Sequence, residues 1–257
     1  AYPQGAQAKE FILPKELLEQ DCVISLSKMK THALERITGA VKNSYGFVYG
    51  FHKAKGHTQY PSADSFARML IDLNKCVAPK LYVMDGIVAM EGNGPGSGDP
   101  VPMNVLLMST DPVALDSVFS RLVYLKPEMV PTNYHGEKMG LGTWKEEEIT
   151  LLTPDGEISM AEAVKKYGNP AFNVDRTEVR KNIWTRMAGA LNIFQKKPYI
   201  EADKCVRCGI CVQSCPVPGK AVDFRKGKGK PPVYDYRKCI RCFCCQEMCP
   251  KKAIKVK

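Results

Sequence analysis

The stretch Cys205-Val206-Arg207-Cys208-Gly209-Ile210-Cys211-Val212-Gln213-Ser214-Cys215-Pro216 recurs as Cys239-Ile240-Arg241-Cys242-Phe243-Cys244-Cys245-Gln246-Glu247-Met248-Cys249-Pro250. Both copies read Cys-x2-Cys-x2-Cys-x3-Cys-Pro. Each follows a short run that reads as a strand, Tyr199-Ile200 and Val233-Tyr234. Each precedes another, Ala221 to Phe224 and Ala253 to Val256. The repeat predicts a small α+β module built from two similar halves.

Thiolate sulfur at this spacing holds iron in cubane clusters, one ligand per iron. Three cysteines two residues apart wrap one cube, and the fourth ligand of such a run serves the other cube. The expectation is therefore two [4Fe-4S] clusters. One would use Cys205, Cys208, Cys211 and Cys249; the other would use Cys239, Cys242, Cys245 and Cys215. Zinc would need paired clips of four ligands and would leave Cys211 and Cys245 without a role. Cys244 falls inside the second ligand loop as an extra residue and reads as a small polarizable packing group.

Outward from the repeat, the other cysteines thin out. Nine of the eleven lie between Cys205 and Cys249, with Cys22 and Cys76 isolated. Clustering of this kind favours a metal site in a reducing compartment over a disulfide scaffold. Charge is uneven as well. Residues 198–257 carry 14 Lys and Arg against 5 Asp and Glu, a net +9 of the chain's +10. Each oxidised cluster with its thiolates adds about two negative charges, so much of the surplus balances buried cluster charge. A docking face for an acidic electron donor or acceptor protein is the second use of the surplus. Nucleic acid comes last. The insert Arg225-Lys226-Gly227-Lys228-Gly229-Lys230 reads as a solvated hairpin tip or a partner contact.

Composition changes at Lys196-Lys197-Pro198, which divides the chain into residues 1–196 and 197–257. In the first part Cys22 to Leu26, Leu81 to Met84, Val105 to Met108 and Ile149 to Leu152 read as short strands. Ser62 to Val77, a helix opening at Asp111-Pro112, Ser159 to Tyr167 and Thr177 to Phe194 read as helices. The alternation predicts an α/β domain with a mostly parallel sheet. No apolar run is long enough for a membrane span, and Ala1 to Gln7 has no signal-peptide pattern. The expected location is cytoplasmic.

Two polar groupings exceed what a plain core needs. Lys28 to His32 follows a strand, with Gly39 to Gly46 shortly after it. His32 with Lys30 and Lys42 forms the candidate catalytic set, binding a small anionic ligand while His32 moves a proton. The glycine-dense Glu91 to Pro100 supplies candidate cofactor-binding residues Gly92, Asn93, Gly94, Gly96 and Gly98, because glycine lets backbone approach an anion or a flat cofactor.

Lys28-Met29-Lys30-Thr31-His32 and Thr38-Gly39-Ala40-Val41-Lys42-Asn43-x-Tyr45-Gly46 resemble domain-of-unknown-function family 362. So do Asp85 to Pro95 and Thr110-Asp111-Pro112-Val113-Ala114-Leu115-Asp116. The likeness spans roughly residues 20 to 155. The C-terminal part is similar to bacterial two-cluster ferredoxins. The resemblance implies an iron–sulfur protein of anaerobic metabolism with no settled reaction, and a family N-terminal portion that is short or missing here. The function expected is electron transfer between a partner and a site in the first domain, as a redox enzyme or redox subunit. The alternative is a non-catalytic ligand-binding or redox-sensing iron–sulfur protein.

Overall fold

A computed structural model describes residues 1–49, 52–178 and 196–257. After a short helix α1 (Lys15–Leu18), strand β1 (Ile24–His32) opens the sheet. Its side chains alternate as a half-covered strand requires: Ser25, Ser27, Met29 and Thr31 are buried, whereas Ile24, Leu26 and Lys28 are exposed. The strand runs further than the Cys22–Leu26 reading. It takes in Lys28 to His32, so these residues sit on a strand rather than on the loop after one.

Next come β2 (Arg36–Thr38), α2 (Ala40–Asn43), α3 (His52–Gln59) and α4 (Ala63–Val77). Then follow β3 (Leu81–Glu91), β4 (Asp99–Ser109), α5 (Pro112–Leu122) and α6 (Pro131–Lys138). The small hairpin β5 (Leu151–Thr153) and β6 (Gly156–Ile158) leads to α7 (Met160–Tyr167). Ser62 caps α4, as its side chain accepts from Ser65 N. Asp111 caps α5 ahead of Pro112, accepting from Val113 N and Ala114 N at 2.7 and 2.9 Å. Ser159 and Glu162 form a reciprocal capping box on α7. The helix expected over Thr177 to Phe194 lies, beyond its first two residues, outside the described residues.

The sheet order is β2-β1-β3-β4. Only β1 and β3 are parallel; β2 pairs antiparallel with β1, and β4 antiparallel with β3. The sheet is therefore mixed, not mostly parallel. The cause is the connection 92–98. It is a hairpin loop between two 11-residue strands, too short for the crossover that parallel neighbours need.

One sheet face carries the helices. Met29, Met84, Leu115, Phe119 and Leu122 lie in one apolar cluster, and Val41, Phe66, Leu70 and Leu73 in a second. On the other face Leu26, Val83 and Met108 stand in one cross-strand row, and Leu26 and Met108 are 72% and 63% exposed.

The cysteine module follows its repeat. β7 (Pro198–Ile200) pairs with β10 (Ile254–Val256), and β8 (Val222–Asp223) with β9 (Val233–Tyr234), both antiparallel. Each cysteine run carries one short helix, Ile210–Gln213 and Cys244–Glu247.

Candidate functional site

Two separate cavities divide the cysteines. One is bordered by Cys205, Cys208, Cys211 and Cys249. The other is bordered by Cys215, Cys239, Cys242 and Cys245. In each, the last cysteine of one run faces the first three of the other. All eleven cysteines are free thiols. Among the described residues no three His, Cys, Asp or Glu side chains are grouped to hold a single metal ion. Four thiols spread around a cavity fit a larger, polynuclear group.

The halves match in detail. Arg207 and Arg241 both have φ of 59°. Gly209 and Phe243 both take the left-handed conformation, at 79° and 60°. Ala221 N donates to Cys215 Sγ at 3.3 Å and Ala253 N to Cys249 Sγ at 3.4 Å. Each of these alanines follows a lysine with positive φ, Lys220 or Lys252. One difference stands out. Tyr234 OH donates to Cys245 Sγ at 3.1 Å, while the matching position in the first half is Ile200.

Among the described residues, the second run is hydrogen-bonded to the sheet domain. Gln246 is fully buried, and its Nε2 donates to Asn93 O and Gly94 O, both at 2.9 Å. Asn93 Nδ2 donates to Ile254 O at 3.1 Å, and Lys252 Nζ to Gly98 O at 3.2 Å. A Cβ on Gly96 would sit 3.0 Å from Glu247 O, and one on Gly94 only 2.0 Å from Thr31 O. The N–H groups of Gly92 and Gly94 are already bonded, to Asn173 O and Gly92 O. The glycine density of 92–98 thus serves close packing against β1 and the cysteine module.

Beside this seat lies a buried polar group. His32 ends β1, and its Nδ1 accepts from Leu34 N and Glu35 N at 3.2 and 3.1 Å. The ring proton therefore belongs on Nε2. Burial, then Lys42, His57 and Lys30, hold its pKa well below the usual imidazole range. At neutral pH His32 is a neutral Nε2–H donor, not an imidazolium. Lys42 is buried, which lowers its pKa against the opposing pull of Glu247. Lys30 is half-buried on β1. These three expected residues lie within electrostatic reach of one another.

Glu35 and His57 join them, and the sequence reading missed both roles. Glu35 is fully buried, neither carboxyl oxygen has a hydrogen-bond partner, and burial raises its pKa well above the carboxylate range. Burial thus favours its protonated form. His57 stacks on Phe66 at 4.4 Å, with its Nδ1 unpartnered. Burial, then Lys42, bring its pKa down to about 3. Lys28 lies elsewhere, paired with Asp85 on the open sheet face.

Two buried side chains clamp the segment that carries Lys42. Asp116 on α5 accepts from Ala40 N and Val41 N at the start of α2. A Cβ on Gly39 would come within 1.9 Å of its carboxylate. Burial lifts the Asp116 pKa to about 7 against these hydrogen bonds. Asn74 on α4 donates to Val41 O at 3.0 Å and accepts from Ser44 Oγ at 2.7 Å. Further along, Tyr45 is electrostatically coupled to Cys244, Glu247 and Cys242. A cleft opens between the sheet domain and the module, bordered by His32, Arg36, Gly92, Gly94, Tyr199 and Lys255 among others.

Residues 1–121 match the family described as Domain of unknown function (DUF362), and residues 197–250 match the 4Fe-4S dicluster domain. The chain thus resembles a DUF362 domain joined to a 4Fe-4S dicluster domain. The DUF362 match begins at residue 1 and ends at residue 121, earlier at both ends than the stretch legible in the sequence. A similar protein is the thylakoid-associated protein sll1697 of Synechocystis sp. (strain ATCC 27184 / PCC 6803 / Kazusa). It is 42% identical over 130 residues, which are 50% of this chain and 40% of that protein. No solved structure gives a significant match. Among the described residues no helix is long and apolar enough to cross a membrane.

Proposed function

We propose that this DUF362 fusion is an iron–sulfur electron-transfer protein that passes electrons between a partner protein and a small-molecule site around His32 and Lys42. Two [4Fe-4S] clusters, held crosswise by Cys205, Cys208, Cys211, Cys249 and by Cys239, Cys242, Cys245, Cys215, would supply one-electron steps. The observation that carries the reading is the Gln246 contact. Gln246 follows Cys245 directly and is bonded to Gly94 O. Gly94 in turn packs on Thr31, the neighbour of His32. The second cysteine run is thereby tied to the end of β1.

The site's own residues suit a reduction that consumes protons. Lys42 attracts an anionic group. Glu35 holds a transferable proton where water does not compete. His32 donates from Nε2 to a developing negative charge. Unpartnered buried polar atoms on Glu35 and His57 favour a ligand that both donates and accepts hydrogen bonds. Gly92, Asn93 and Gly94 border the cleft through which it would enter.

The test starts with anaerobic reconstitution and EPR. Wild type should give two reducible cubane signals, Cys249→Ser should lose one and Cys215→Ser the other. A chain that takes up zinc and no iron–sulfur would end the reading. The second reading, a non-catalytic binding or redox-sensing protein, is favoured by the neutral, closely packed state of His32 and His57. It gains ground when Lys42→Met and Glu35→Gln leave partner-driven electron uptake unchanged in the presence of ligand.

A further inference from the structure

The two halves of the module repeat each other in backbone and sulfur contacts, but not in surroundings. On the second run, Phe243, Cys244 and Gln246 are buried, and Gln246 is seated on Asn93 and Gly94. At the matching positions of the first run, Gly209, Ile210 and Val212 are only half-buried. Before them, Val206 is 53% exposed, and Arg207 and the ligand-position Cys208 are exposed too. The repeat has one end inside the protein and one end facing solvent.

The free end is cationic. Arg207 Nη1 donates to Gly229 O at 3.0 Å, which ties the basic insert to the rim of the first cysteine cavity. Lys226, Lys228 and Lys230 are exposed along that insert, and Lys251 is exposed on the rim. Arg225 and Lys204 are excluded from this count, since each pairs with a neighbouring acid. An apolar centre at Val206 inside a charged margin is the anatomy of a protein interface. Phosphate backbone binding would need no such centre and would not require the patch to sit over the cavity.

We propose that the rim formed by Val206, Arg207 and Cys208, with Lys226, Lys228, Lys230 and Lys251 around it, is the docking face for an acidic one-electron carrier protein. This rests on the electron-transfer reading above and adds the place and sign of the contact. Electrons enter at the first run and reach the sheet domain through the second. Close approach at an exposed ligand loop shortens the transfer distance. Opposite charge speeds encounter and makes it salt-dependent.

The test uses the reconstituted full chain, a plant-type [2Fe-2S] ferredoxin as the acidic carrier, and dithionite as a small reductant. The variant K226E/K228E/K230E leaves every cysteine loop intact. It should bleach with dithionite at the wild-type rate, yet accept electrons from reduced ferredoxin about tenfold more slowly at low salt. It should also elute from immobilised ferredoxin at lower salt than wild type. As a second variant, K251E should shift both readouts the same way. Equal ferredoxin rates and equal elution for wild type and K226E/K228E/K230E, with dithionite still effective, would overturn the docking face alone. Failure of dithionite to reduce wild type would overturn the electron-transfer reading itself. Retention of wild type on duplex DNA at the salt that releases it from ferredoxin would assign the patch to nucleic acid and overturn the inference.

Discussion

Gln246 Nε2 lies 2.9 Å from the carbonyl oxygen of Gly94, and with its second bond to Asn93 O it joins the cysteine module to the hairpin of the sheet domain. Both acceptors depend on one buried amide. Gln246→Ala should destabilise the junction by about 1–3 kcal/mol, the cost of stranding buried carbonyls. Hydrogen exchange should rise over residues 92–98 and little elsewhere in the sheet. Unchanged exchange there would assign the contact no energetic weight.

The α2 clamp makes a steric prediction. Gly39→Ala would drive a methyl group into the Asp116 carboxylate, which must then release Ala40 N and Val41 N. The loss should be about 2–4 kcal/mol, from two buried hydrogen bonds and local overpacking. A denaturant titration reads this directly. Asp116→Asn, which keeps one acceptor, should cost less than Gly39→Ala.

His57 gives the acid limb of stability a definite sign. Its pKa falls from 6.5 to about 3 on folding, so below pH 6.5 the unfolded chain binds the extra proton. The stability this group contributes is complete above pH 6.5 and is lost as pH falls toward 3. His57→Gln should flatten the slope of unfolding free energy between pH 6.5 and 5.5 by up to about 1.4 kcal/mol per pH unit. Thermal melts of the anaerobic protein across that range would reveal it, and parallel slopes for the two proteins would count against a buried neutral His57.

The α5 cap is a simpler case. Asp111 Oδ1 serves two helix N–H groups, and Oδ2 accepts from Thr143 N at 2.9 Å. Asp111→Ala should cost about 2 kcal/mol, at the upper end for caps, because it also frees the 142–144 loop. Asp111→Asn should recover more than half of that loss in the same denaturant titration.

The grouping of the cysteines around two cavities and the capped helices were legible because their signals are local. Spacing, a proline after the fourth cysteine, and Ser62, Asp111 or Ser159 at a helix start all act within a few residues. The sheet differs from the expectation because Leu81–Met84 and Val105–Met108 are only the most apolar segments of two 11-residue strands joined by a short hairpin. Nothing local in 92–98 announces the seat it provides for the cysteine module. His32, Lys30 and Lys42 stood out as polar residues in a pattern. Glu35, His57 and Asn74 did not, because their burial is created by tertiary packing: His57 lies on Phe66 of the next helix, and Asn74 is bonded to Val41 and Ser44, about 30 positions back.

Tyr234 and Ile200 occupy the same place in the two halves, but only Tyr234 offers a proton to a sulfur. A hydrogen bond into a thiolate favours the more negative, reduced state of whatever that thiolate binds. Under the electron-transfer reading, the inner site would be the lower step for an arriving electron and the outer site the higher. The duplicated sequence would then act as a slope, from the solvent-facing edge toward His32, without any moving part.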